Sequence, residues 1–248
     1  MRIAGEPAYV LHHRAYSETS LLLEVFTRQH GRLGLIAKGA RSSRSPLRGL
    51  LAPFQPLLLS FSGRGELPVV TGAEPEGIAH ALAGEGLYCG FYLNELMMRL
   101  TARYDAHERL FDVYRATLAG LVAGGDASPV LRIFEKNLLG EVGYGLMLDC
   151  ESAAGPALVP DGQYDYRPEL GPIVIKDSTP DAPITGVRVS GVTLIALARE
   201  RFDDAASLRE ARTLLRACLA RHLGERPLES RRLMQAMRGA LPVTADSE

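Results

Sequence analysis

The chain has 248 residues, 46% of them apolar and 23% charged, which is enough to bury a sizeable core in one large or two small domains. With 28 Lys/Arg against 29 Asp/Glu, net charge alone gives no reason to expect a polyanion partner. Three widely spaced cysteines (Cys89, Cys150, Cys218) exclude a disulfide framework and point to a reducing cytosol. The N-terminus lacks the apolar core of a signal peptide, and no apolar run approaches the ~18 residues a membrane span requires.

The first 76 residues read as strands. AYVLHHR (8–14) is followed by polar turn chemistry at Tyr16-Ser17-Glu18-Thr19, and SLLLEVFT (20–27) and RLGLIAKG (32–39) flank RQHG as a hairpin around Gly31. PFQPLLLSFS (53–62) and ELPVVTGAE (66–74) form a second hairpin around Gly63-Arg64-Gly65, with Pro53, Pro56 and Pro68 at strand starts or edges. Four or five short strands in about 75 residues predict a small, closed or nearly closed barrel.

From Gly77 the period becomes helical. Helices are predicted over 87–104, from His107 to Val122 with Gly124-Gly125 as the stop, and from Pro129 with Ser128 as N-cap. Residues 150–188 are rich in Gly, Pro, Asp and Tyr, an irregular insert with at most one hairpin around PIVIK (172–176). Helices resume over 192–202, 207–224 and 228–238, with Asp203-Asp204 at a helix start and a loose final stretch of about seven residues. The class is α+β: a barrel domain over 1–76, then a helical domain over 77–248 interrupted by the insert.

No catalytic constellation is present. GxxxxGK[ST], GxGxxG and GxSxG are absent, and Ser42, Ser43 and Ser45 have no partnered base. Adjacent His12 and His13 face opposite sides of a strand, and Cys218 with His222 supplies only two ligands of the four a structural metal needs. Glu135 and Glu141 lie on a core-packing helix, where Glu135 suits a buried ion pair. No cofactor and no metal are expected.

The charge is unevenly spread. Residues 1–64 hold nine Lys/Arg against three acids (+6), and the remainder holds 19 against 26 (−7). The window 25–65 contains no acid and six arginines to one lysine, with Phe26, Phe54 and Phe61 interleaved. Arginine forks onto phosphate and stacks on bases, so a basic barrel surface points to single-stranded nucleic acid. Arg14, Arg28, Arg32, Lys38, Arg41, Arg44 and Arg48 are the candidate phosphate contacts, with Gly39 and Gly49 allowing close backbone approach. Phe26 or Phe61 either stacks a base or fills the core. An RNA-directed module would use the same barrel, and an enzyme on nucleic acid is the weaker rival.

The order SETS, GRLGLIAKGAR, then FE..LL....GYGL, with LYCGFYLNELMMRL and LESRRLM, resembles the family of the recombination mediator RecO over most of the chain. That resemblance implies an OB-fold followed by a helical domain, and a non-enzymatic role in DNA repair in a cytoplasmic, nucleoid-associated protein. It implies binding of single- and double-stranded DNA and annealing of complementary strands. It further implies loading of RecA, with RecR, onto strands coated by single-stranded-DNA-binding protein (SSB), whose acidic C-terminal tail docks on the helical domain. Arg132 is the candidate cation for that tail. Zinc-bearing members have two Cys-x-x-Cys pairs in the insert; here Cys150 stands alone, with Ala153 at the second position, so no zinc is expected.

Overall fold

Alternation of apolar and polar residues sets the N-terminal strands, and proline sets where they begin. The computed structural model describes residues 2–63, 65, 67–152, 155–176 and 183–240, with side chains through 234. Arg64, Ala153 and the final stretch 241–248, all singled out in the sequence, lie outside the described residues. Strands β1 (Arg2–Tyr16), β2 (Ser20–Thr27), β3 (Gly31–Ala37), β4 (Leu57–Ser62) and β5 (Val69–Pro75) close into a barrel of order β1-β2-β3-β5-β4. Closure uses a parallel contact, Ile36 opposite Val69, with the Ile36 N–H donating to the Pro68 carbonyl at 2.9 Å.

Strand β1 is longer than its apolar run because it serves two neighbours. Its first half pairs with β4 (Arg2 opposite Ser62, Ala8 opposite Leu57) and its second half with β2 (Ala8 opposite Thr27, Tyr16 opposite Ser20). A bulge between Ile3 and Glu6 turns the strand between these partners, and Gly5 supplies the φ of +64° found there. Conversely, β4 starts at Leu57 instead of 53: Pro53 and Pro56 offer no N–H, and Phe54 between them takes φ +67°. Inward-facing Ala8, Val10, Leu23, Val25, Leu33, Leu35, Leu57, Leu59 and Phe61 are fully buried and form the barrel core.

Helices α1 (Gly84–Leu100), α2 (Glu108–Ala123) and α3 (Ser128–Glu141) follow. Ser128 is the first helical residue of α3 and not its cap; the Asp126 carboxylate accepts from the Ser128 N–H at 2.9 Å instead. Next come β6 (Gln163–Arg167), β7 (Gly171–Val174), β8 (Val187–Ser190), α4 (Gly191–Arg199), α5 (Ala205–Leu223) and α6 (Glu229–Ala240). Asp204 caps α5 by accepting from the Ser207 N–H at 2.7 Å.

The chain divides into two compact units, Met1–Gly124 with Glu225–Glu248, and Gly125–Gly224. The 76/77 boundary read from the sequence falls inside the first unit, because α1 and α2 pack on the barrel and α6 packs on α1. Asn94 of α1 donates to the Leu11 carbonyl at 2.8 Å and accepts from the Tyr114 hydroxyl at 2.6 Å. The Glu95 carboxylate accepts from the Glu229 and Ser230 N–H groups and the Ser230 hydroxyl, joining the start of α6 to α1. Burial works to raise the Glu95 pKa, but these donors hold it below the ordinary glutamate value.

The second unit contains the insert, which is more regular than its composition suggests. Strands β7-β6-β8 form a three-stranded sheet. Tyr164 and Tyr166 are buried, and their hydroxyls accept from the Val159 and Met147 N–H groups, each at 3.0 Å. Between them Asp165, on the opposite face, accepts from Arg167 and from the Thr185 and Gly186 N–H groups. Burial tends to raise its pKa, and the three donors outweigh burial and lower it. Aromatic packing and a carboxylate cradle therefore order this segment.

Candidate nucleic-acid interface

The basic stretch between β3 and β4 is a chain of tight turns pinned to the barrel at both ends. Ser42, Ser45, Arg48 and Leu50 each donate a backbone hydrogen bond three residues back, to Gly39, Ser42, Ser45 and Leu47. Ala40 and Leu51 are buried in the barrel core, with Leu47 packed against it. The Arg41 N–H donates to the Thr19 carbonyl at 2.8 Å, fastening the loop to the β1–β2 turn. Gly39 and Gly49 take φ of +66° and +82°, the reversals that let this loop fold back on itself.

Loop and turn enclose an open groove of about 610 Å³. The apolar part of its lining is aliphatic, built from Ala15, Leu21, Ala40, Leu47, Leu51 and Ala52, and its polar side chains are His13, Arg14, Arg41 and Arg48. No acid lines it. Arg14, Arg41 and Arg48 are exposed, as are Lys38 and Arg44 on the same loop outside the lining. None of the ion pairs among the described residues involves these five cations. Three exposed guanidinium groups beside aliphatic side chains offer forked hydrogen-bond donors of the kind that match phosphate or carboxylate oxygens. His13, weighed in the sequence only as a metal ligand, joins the site because the groove wraps around the end of β1.

The other two candidate cations are engaged elsewhere. Arg28 forms a two-pronged pair with the Asp112 carboxylate of α2, both contacts at 2.9 Å, and lies 3.6 Å from Glu108. Arg32 donates to Glu24 at 3.0 Å and to the Thr101 carbonyl at 2.9 Å, with only 14% of its side chain exposed. Glu24 also receives Arg103. These arginines tie the barrel to the α1–α2 segment, so the acid-free window is neutralised in part from 80 residues away. Gly31 lies at the same junction: at φ +65°, a Cβ would sit 1.9 Å from the Asp105 carbonyl oxygen.

The interleaved phenylalanines do not form a platform. Phe26 and Phe61 are fully buried and Phe54 is 5% exposed. Phe26 packs on Phe111, Phe54 on Phe91, and Phe61 fills the barrel under the His30 ring. Core packing took the rings, as strand alternation favours.

Arg132 differs from the rim cation expected of it. It is buried on α3 and pairs with Glu135 at 2.7 Å, leaving its Nε without an acceptor. Cys218 is buried, which pushes its thiol up to about 11, while His222 stacks on Tyr144 with centroids 3.6 Å apart. Among the described residues no group of three or more His, Cys, Asp or Glu could hold a metal ion. Likewise, no described helix is long and apolar enough to cross a membrane.

Comparison with known proteins agrees with this architecture. A family model described as "Recombination protein O N terminal" matches residues 1–78, and one described as "Recombination protein O C terminal" matches 82–232. The chain is 48% identical over 238 residues to a DNA repair protein RecO from Nitrosococcus oceani, covering 96% of this chain and 95% of the relative. It is 47% identical over 235 residues to one from Methylococcus capsulatus (95% and 94% covered), and 45% identical over 245 residues to one from Thiobacillus denitrificans (95% and 93% covered). A five-stranded closed barrel, a helical segment and matches along nearly the whole length lead to one assignment: the chain belongs to the RecO family of DNA repair and recombination proteins.

Proposed function

We propose that this chain is a non-enzymatic recombination mediator that binds single- and double-stranded DNA through its barrel, residues 1–76, and anneals complementary strands. The observation that carries the reading is the groove, which joins Arg14 of β1 to Arg41 and Arg48 of a loop held in place by buried Ala40 and Leu51, with no carboxylate among its described lining residues. Annealing brings two polyanions together, so cations that neutralise both backbones lower the repulsion, and counterion release supplies entropy. Lys38 and Arg44 extend the positive surface beyond the groove for the second strand.

The partners proposed with this reading are RecR and the acidic tail of SSB, for loading RecA onto coated strands. Arg132 remains the proposed cation for that tail, because its unpaired Nε is a donor that an incoming carboxylate would satisfy. Arg132→Ala retaining full affinity for an SSB tail peptide would remove it from that role. Fluorescence anisotropy with labelled oligodeoxythymidylate tests the main reading. Wild type should bind at low salt and prefer it to a folded RNA hairpin, and Arg41→Glu/Arg48→Glu should weaken binding at least tenfold. Preference for the hairpin would replace the reading with an RNA-directed one.

A further inference from the structure

Resting on that reading, we infer that the groove holds a single strand by its sugar–phosphate backbone, with the bases turned outward and free to pair. The residues that touch a bound strand decide this. The apolar part of the lining is aliphatic, and its small side chains, Ala15, Ala40 and Ala52 among them, offer contact to deoxyribose but no flat π surface. The three arginines of the lining are exposed, and their guanidinium groups suit phosphates. Sequence-tolerant grooves that bury bases do so on successive aromatic side chains, each worth roughly 5- to 150-fold in affinity. Here the three barrel phenylalanines that would serve are packed inside. His13 is the one ring in the lining, and a single imidazole does not seat a run of bases.

The arrangement suits annealing. A strand whose bases were stacked on protein would have to be peeled off before pairing, whereas a strand held by its phosphates presents its Watson–Crick edges while bound. Binding and pairing are then simultaneous rather than competing.

The experiment compares a 20-unit oligodeoxythymidylate with a 20-unit abasic strand of the same charge, both at low salt. Abasic affinity within about threefold of the normal strand is expected. Thymines of the bound strand should keep permanganate reactivity within about twofold of the free strand. A tenfold or greater loss on the abasic strand, or several-fold protection of thymines, would overturn the base-outward mode while leaving the groove as a DNA site. Failure of wild type on both strands would instead overturn the underlying assignment of the groove, and this inference with it.

Discussion

Replacing Arg14, Arg41 and Arg48 together with alanine removes the three arginines of the described groove lining while leaving its aliphatic side chains and the buried anchors of the loop. Each phosphate neutralised on a single strand contributes about 0.7 to the slope of log affinity against log salt, so three lost contacts flatten that slope by about 2. Between 50 and 200 mM salt, a fourfold change, wild type should therefore lose about 18-fold more affinity than the variant. The matched control is Arg28→Ala/Arg32→Ala, which deletes two charges from the same window. Those arginines pair with Asp112 and Glu24, so the control should lower the unfolding midpoint and leave the slope within about 0.5 of wild type. Anisotropy titrations at four salt concentrations provide the slopes. An unchanged slope in the triple variant, or a flattened one in the control, would refute the division of the arginines into those outside the described ion pairs and those within them.

Other consequences are direct. Gly31→Ala puts a Cβ against the Asp105 carbonyl at a positive φ, and should cost about 2–4 kcal/mol in urea unfolding; a loss below about 0.5 would mean the α1–α2 segment does not press on this turn. The insert should be insensitive to metal chelators and sensitive to acid. Because the folded Asp165 pKa is depressed, its contribution is present above the ordinary aspartate value near 3.8 and lost as pH falls through the lower folded value. Hydrogen exchange of 163–174 and 187–190 should accelerate only in that acid range, and Asp165→Ala should show the fast exchange at neutral pH. Melting that drops on adding a chelator would contradict the metal-free account of this segment.

Much of the fold was legible because it follows local rules. Apolar runs between turn residues marked all five barrel strands, Gly31 marked the hairpin, and Gly124-Gly125 marked a helix end whose C-cap indeed takes φ +79°. Local rules failed where distant residues decide. Arg28 and Arg32 read as phosphate contacts because the window 25–65 holds no acid, yet Glu24 just outside it pairs with Arg32, and Asp112 and the Thr101 carbonyl reach these arginines through the fold. The start of β1 at Arg2 depends on β4, and the sheet in the insert on Tyr164 and Tyr166 being buried, neither of which a short window records. The basic loop was legible as a charge run; its attachment was not, since that depends on Ala40 and Leu51 entering a core made by other strands.

The central claim is that the arginine-lined groove of the barrel carries out strand annealing. Its most direct measurement is the annealing rate of complementary oligonucleotides, bare and SSB-coated, for wild type and Arg41→Glu/Arg48→Glu, with circular dichroism to establish that both are folded. The account predicts rapid annealing by wild type and a rate near the protein-free value for the folded variant. Annealing by the variant at the wild-type rate, or none by wild type at low salt, would contradict it.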